Sequence, residues 1–151
     1  MDSPIRELEH TDEATKQVLE NVRKKKEKFD KAEKLHYLSI YSTLLMAAVF
    51  FCYFYFAIAK YYSYSFFAMF SASLNDSVII FLMAITIIGY GSMNILKQQK
   101  DKKEKEYQEL RAEIADRSKD FWKKEEEWKN RHIVFAMMKK NYDINLYHEK
   151  K

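Results

Sequence analysis

Residues 35–59, LHYLSIYSTLLMAAVFFCYFYFAIA, and residues 77–96, SVIIFLMAITIIGYGSMNIL, decide the fold. The first is roughly 25 residues without a formal charge and the second roughly 20, against about 20 needed to cross hydrocarbon at 1.5 Å rise per residue. Around ten strongly apolar side chains in the first stretch, among them Leu38, Leu44, Val49, Phe51 and Ile58, contribute about −3 to −6 kcal/mol to insertion at central positions. Between Leu35 and Leu96 the only charged residues are Lys60 and Asp76. The chain is 32% charged as a whole, and its mean hydropathy of −0.49 would pass for a water-soluble protein. Segregation of charge from apolar residues, not the average, carries the signal.

Working outward, Arg23, Lys24, Lys25, Lys26, Lys28, Lys31 and Lys34 precede the first stretch, and Lys97, Lys100, Lys102, Lys103 and Lys105 follow the second. The segment between them holds only Lys60. The positive-inside rule therefore predicts two spans with both termini cytosolic, in a cell membrane. The net charge of +4 lies mostly in these flanks, which suits anionic lipid headgroups and gives no motive for nucleic-acid binding. Residues 1–34 are too polar for a cleavable signal, so the first span is expected to stay as an uncleaved anchor.

Two glycines and one proline in 151 residues leave little turn punctuation, so the chain should be almost entirely helical. The expected fold is an all-α membrane protein: a two-span helical hairpin with long cytosolic N- and C-terminal helices. Residues 1–34 form a cytosolic helical segment, with Ser3–Pro4 as one helix start and Thr11, Asp12 and Glu13 as a second. Val18, Val22 and Phe29 make only a thin apolar stripe there, which reads as a solvated lead-in. Residues 35–59 are the first span and 60–76 an extracytosolic aromatic loop. Tyr61, Tyr62 and Tyr64 belt that loop, a short interfacial helix covers about 66–74, and Asn75 and Asp76 cap the next helix. Residues 77–96 are the second span, 97–140 one long charged helix, and 141–151 an irregular tail with Asn141 as the C-cap.

Small residues offer close contact between spans. Ser39, Thr43 and Ala47 recur every four residues on the first, and Gly89 and Gly91 interrupt the second, so these five are the candidate helix-packing residues. In the C-terminal region a seven-residue recurrence links Tyr107, Ile114, Phe121, Trp128, Phe135 and Tyr142, a candidate interaction stripe. Its companion positions read Leu110, Arg117, Lys124, Arg131 and Met138, so a coiled-coil seam would be only half apolar. Packing on the N-terminal helix, pairing with a second copy or a cytosolic partner, and lying on the membrane all remain open.

No constellation points to catalysis, a cofactor or a metal. His10, His36, His132 and His148 lack ligand spacing, and neither a phosphate loop nor a serine elbow occurs. Glu125, Glu126 and Glu127 read as a solvated helix face, and the single cysteine, Cys52, allows neither an internal disulfide nor a cysteine-based zinc site. No Asp, Glu, Lys or Arg lies inside either span, His36 sits at the cytosolic edge of the first, and Thr86 and Asn94 are too little for an ion path. A non-enzymatic, membrane-anchored interaction or scaffold protein is thus the first expectation. The alternative is a small channel or transporter subunit built from oligomerised hairpins, which solute flux in proteoliposomes would distinguish.

SPIRELEHTDEATKQ at residues 3–17 and FWKKEEEWKNRHIVFAMMKKNYDINLYHEKK at residues 121–151, with the two-span layout, resemble the YpbF-type family of small uncharacterised membrane proteins of spore-forming Gram-positive bacteria. The resemblance covers essentially the whole chain, and the C-terminal stretch is its most distinctive part. It implies a helical hairpin in a bacterial cell membrane and carries no activity, substrate or catalytic residue.

Overall fold

Residues 4–8 and 11–147 are described by the computed structural model of the chain, and every regular element among them is helical. In order these are α1 (Glu13–Phe54), a π-helical turn (Tyr55–Ala59), α2 (Lys60–Tyr62), α3 (Phe66–Asn75), α4 (Ser77–Asp116), α5 (Ser118–Phe121) and α6 (Glu125–Tyr142). Two compact units emerge: a core unit, Met1–Lys31 with Asp101–Lys151, and a hairpin unit, Ala32–Lys100.

The helix starts come from capping. Asp12 accepts the Thr15 amide at 2.8 Å, so α1 begins one residue later, as the Thr11–Asp12–Glu13 run suggests. Hydrogen bonds from Thr15 hold the Asp12 carboxyl below the usual carboxylate range. Of the other expected start, Ser3 lies outside the described residues, and Pro4 sits in a turn. Ser65 caps α3 by accepting the Ala68 amide, and Asp76 caps α4 by accepting the amides of Val78 at 2.8 Å and Ile79 at 3.2 Å. Asn75 is the last residue of α3 and takes no part in that cap.

The single helix expected over 97–140 is not formed. The helix α4 stops at Asp116, Arg117 leaves helical geometry at φ −94° and ψ 18°, and Trp122 to Lys124 are non-helical. Glycine and proline are absent from the break, so propensity cannot explain it. Burial does: Trp122 is 1% exposed, and the two bends let α6 deliver Val134, Phe135 and Met138 to the same core. A tryptophan hides about 150–250 Å² of surface, far outweighing a few tenths of a kcal/mol of local preference.

The tail also departs from expectation. Asn141 remains inside α6, and Asp143 is the C-cap, in the left-handed region at φ 56°. Its amide reaches the Lys139 carbonyl at 3.1 Å and that of Ile144 reaches Met138 at 3.2 Å. From Asp143 the backbone is irregular, as expected, but Ile144 and Leu146 are fully buried, so the described tail packs into the core. The N-terminal stretch is corrected likewise: Leu19 and Val22 have no exposed surface, so this part of α1 is a packed face and not a solvated lead-in.

Candidate functional site: the apolar hairpin and the core that gathers the aromatic stripe

Two helical stretches, Glu13–Tyr62 and Ser77–Asp116, are long and apolar enough to cross a membrane by length and composition. Their apolar windows are only 11% and 6% buried. A core helix of a water-soluble bundle with this composition would be mostly covered. Large side chains such as Leu38, Phe51, Phe81 and Ile87 are each more than half exposed. Between the helices α3 presents Phe66 and Phe67, about four-fifths exposed, beside Tyr61 and Tyr64.

Several hydroxyls in this unit are satisfied locally. The Ser39 hydroxyl donates to the His36 carbonyl at 2.7 Å, Ser42 to Ser39, Ser73 to Met69 and Thr86 to Leu82. Hydroxyls bonded to their own helix can sit in an apolar environment without a further partner. At one end of the hairpin, the Tyr53 hydroxyl donates to Asp76 Oδ2 at 3.2 Å while Oδ1 caps α4. One carboxylate thus ties the end of α1 to the start of α4. Lys34 and Lys97 are exposed towards the unit's two chain ends, and Lys60 is exposed in the connection.

The five helix-packing candidates divide. A Cβ at Gly89 would lie 3.2 Å from Thr43 Oγ1, so this glycine permits the two helices to approach at Thr43. A Cβ at Gly91 would meet nothing within 4 Å, so Gly91 is not part of that contact. Ser39 and Ala47 are half-buried on either side of Thr43, whose hydroxyl is buried without a partner. Gly89→Leu is expected to weaken the hairpin by about 1–3 kcal/mol through overpacking, and Gly91→Leu to leave it nearly unchanged. Cysteine crosslinking across the hairpin, in a background without Cys52, reads the difference; equal yields for the two variants would remove Gly89 from the interface.

The seven-residue stripe is brought together, but as core. Tyr107 and Ile114 come from α4, Phe121 from α5, and Trp128, Phe135 and Tyr142 from α6. Tyr107, Ile114 and Phe135 are buried, and Phe121, Trp128 and Tyr142 pack against them. Tyr107 stacks on Phe29 with centroids 6.1 Å apart, and Phe135 meets Trp122 edge-on at 5.4 Å. Of the readings left open, packing against the N-terminal helix is the one these contacts form. The stripe bends with the chain, and its buried members Tyr107, Ile114 and Phe135 face this chain's own core.

Charge chemistry in the core unit is structural. The Lys26 ammonium bridges to Asp30 at 2.8 Å and lies 5.7 Å from the Tyr107 ring centre. Burial would lower its pKa, but the Asp30 hydrogen bond and charge prevail and the net direction is up. Burial pushes the Tyr107 phenol up. Lys25 reaches Glu106 at 3.3 Å, and hydrogen bonding to Lys25 holds that carboxyl low. Glu125 and Glu126 are exposed as expected, whereas Glu127 accepts the Lys124 amide at 3.4 Å and helps start α6. Among the described residues no three His, Cys, Asp or Glu side chains gather as a metal site. His10 and His148 lie outside those residues.

Sequence reasoning missed Trp122, Leu19, Ile144 and Leu146. All fall outside the seven-residue register. The alternation of Ile144 and Leu146 around Asn145 was the available hint, since a solvated tail has no use for it.

A family model described as "Protein of unknown function (DUF2663)" matches residues 18–149, which takes in both units. The "Uncharacterized protein YpbF" of Bacillus subtilis (strain 168) is 40% identical over 78 residues, 52% of this chain and 53% of that protein. The matched stretch thus spans about half the length of this curated relative. No solved structure matches the chain.

Proposed function

The chain belongs to the DUF2663 family of proteins of unknown function, and from that premise we propose that it is a non-enzymatic membrane protein, anchored by its hairpin with both termini in the cytosol. Its setting on this reading is the cell membrane of a spore-forming Gram-positive bacterium. The observation that carries the reading is that two helices, each long enough to cross a bilayer, have only 11% and 6% of their apolar windows buried within the chain. Water would penalise such a surface by about 25 cal/mol per Å², and lipid would not. The lysines and arginines outside the two apolar stretches, against Lys60 alone between them, support the orientation. The exposed aromatic residues of α3 and its flanks suit the far headgroup layer.

On this reading the core unit is a cytosolic module held at the membrane as a scaffold. Its internal stripe stabilises the module, and any macromolecular contact is made by its charged outer surface. Cysteine tags at Met1 and Lys151 and in the loop at Ser63, introduced in a Cys52→Ser background, test the topology. Both terminal tags should resist a membrane-impermeant maleimide in intact cells while Ser63→Cys is labelled. Labelling of one terminus but not the other would overturn the hairpin reading.

A further inference from the structure

Within the core unit, the end of α4, the start of α5, α6 and the chain after it line a cleft of about 350 Å³, at the lower end of the roughly 300–1,000 Å³ typical of small-molecule sites. Its lining is asymmetric in chemistry. One part is aromatic, with Trp128, Phe135 and Tyr147, the last two meeting edge to face at 5.3 Å. The other carries Lys129, Arg131 and His132, and among the described residues no aspartate or glutamate lines the cleft. Three nitrogen-bearing side chains beside an apolar wall match a ligand with a negative head and a flat apolar body.

The cationic groups are positioned as well as present. The Arg131 guanidinium lies over the Trp128 ring, 3.4 Å from its centroid. Stacking uses the faces of the guanidinium, and Nη1 donates to the Trp128 carbonyl at 3.4 Å, so a carboxylate or phosphate meets the remaining in-plane N–H groups. His132 is tied back to its own helix, with Nδ1 2.7 Å from the Lys129 carbonyl, so the anion-binding charge of the cleft rests on Arg131 and Lys129. Lys129 is 3.2 Å from Glu125, but both side chains are more than two-thirds exposed, so the pair can exchange for a ligand anion. The Tyr147 hydroxyl, 3.5 Å from the His132 carbonyl, sits at the same wall.

We propose that this cleft binds a small aromatic anion, a carboxylate or phosphate monoester borne on a planar ring. The anionic head meets Arg131 and Lys129, and the ring lies against Phe135 and Tyr147. The inference is independent of the membrane reading, because every residue it uses belongs to the core unit.

Phenyl phosphate is the probe, with benzyl alcohol and benzamidine as neutral and cationic counterparts, titrated into the full chain in zwitterionic nanodiscs. Tryptophan fluorescence reports occupancy through Trp128. Saturable binding of phenyl phosphate is expected, at least about tenfold tighter than either counterpart. Arg131→Met and Lys129→Gln should each weaken it about three- to tenfold. Lys129 is exposed enough that its variant cannot fail for want of folding. Absence of saturation, equal binding of benzyl alcohol, or unchanged affinity in Lys129→Gln together with Arg131→Met would overturn the proposal.

Discussion

Trp122→Ala is expected to destabilise the core unit by about 3–5 kcal/mol, the loss typical of a large aromatic removed from a packed interior. Trp122 is 1% exposed, with Phe135 edge-on at 5.4 Å and Phe121 at 6.2 Å, so no neighbour can fill the space without leaving its own contacts. Its indole N–H finds no acceptor among the described residues. The side chain therefore stabilises by its bulk against a standing cost of about 1–3 kcal/mol for the unpaired donor. Trp122→Phe keeps most of the bulk and removes the donor, and should cost much less. Urea titrations followed by proteolysis in the region after Asp101 measure both. A loss below about 1 kcal/mol for the alanine variant would show that Trp122 is not a core residue, since surface changes stay within about 0.5 kcal/mol.

The second large effect lies in the hairpin. Ile87 is 63% exposed near the middle of residues 77–96. If its surroundings are lipid, Ile87→Arg adds about 2.5–3.5 kcal/mol to insertion and forfeits a further 0.3–0.6 from isoleucine. That shifts the insertion equilibrium by roughly a hundredfold or more. If its surroundings were water, the same change at an exposed site would stay within about 0.5 kcal/mol. The carbonate-resistant fraction of the variant in membranes should fall sharply. An undiminished fraction would argue that this helix does not cross the bilayer.

These two sites mark where the sequence is legible and where it is not. The apolar helices are read from charge segregation alone, since span length and side-chain hydropathy are local quantities. The Thr43–Gly89 approach is likewise visible as small residues, although only the packing separates Gly89 from Gly91. The break after Asp116 is not legible. Every residue from Asp116 to Lys124 is an acceptable helix former, and the chain bends because Trp122, Phe135 and Leu146 share one core, a condition set by partners distant in sequence. The Asp143 cap escaped for a related reason: glycine is the usual signal for that conformation, and here an aspartate adopts it. The aromatic heptad was a true periodicity, but periodicity does not say whether the buried face is closed by the same chain or another. Nor does composition reveal the cleft at Arg131, whose lining comes from both ends of the break.

The π-helical turn at Tyr55–Ala59 gives the first apolar helix a form of slack. A wider turn of this kind holds one residue more than the ordinary helix needs, while the flanking turns keep their angular phase. Loss of a single residue there could be absorbed by reversion to regular winding, without rotating Tyr61 and Tyr62 to a new side. Drift in chain length among kindred proteins would thus find its least disruptive outlet at this point, and elsewhere along the same rod it would turn the downstream residues by about 100°.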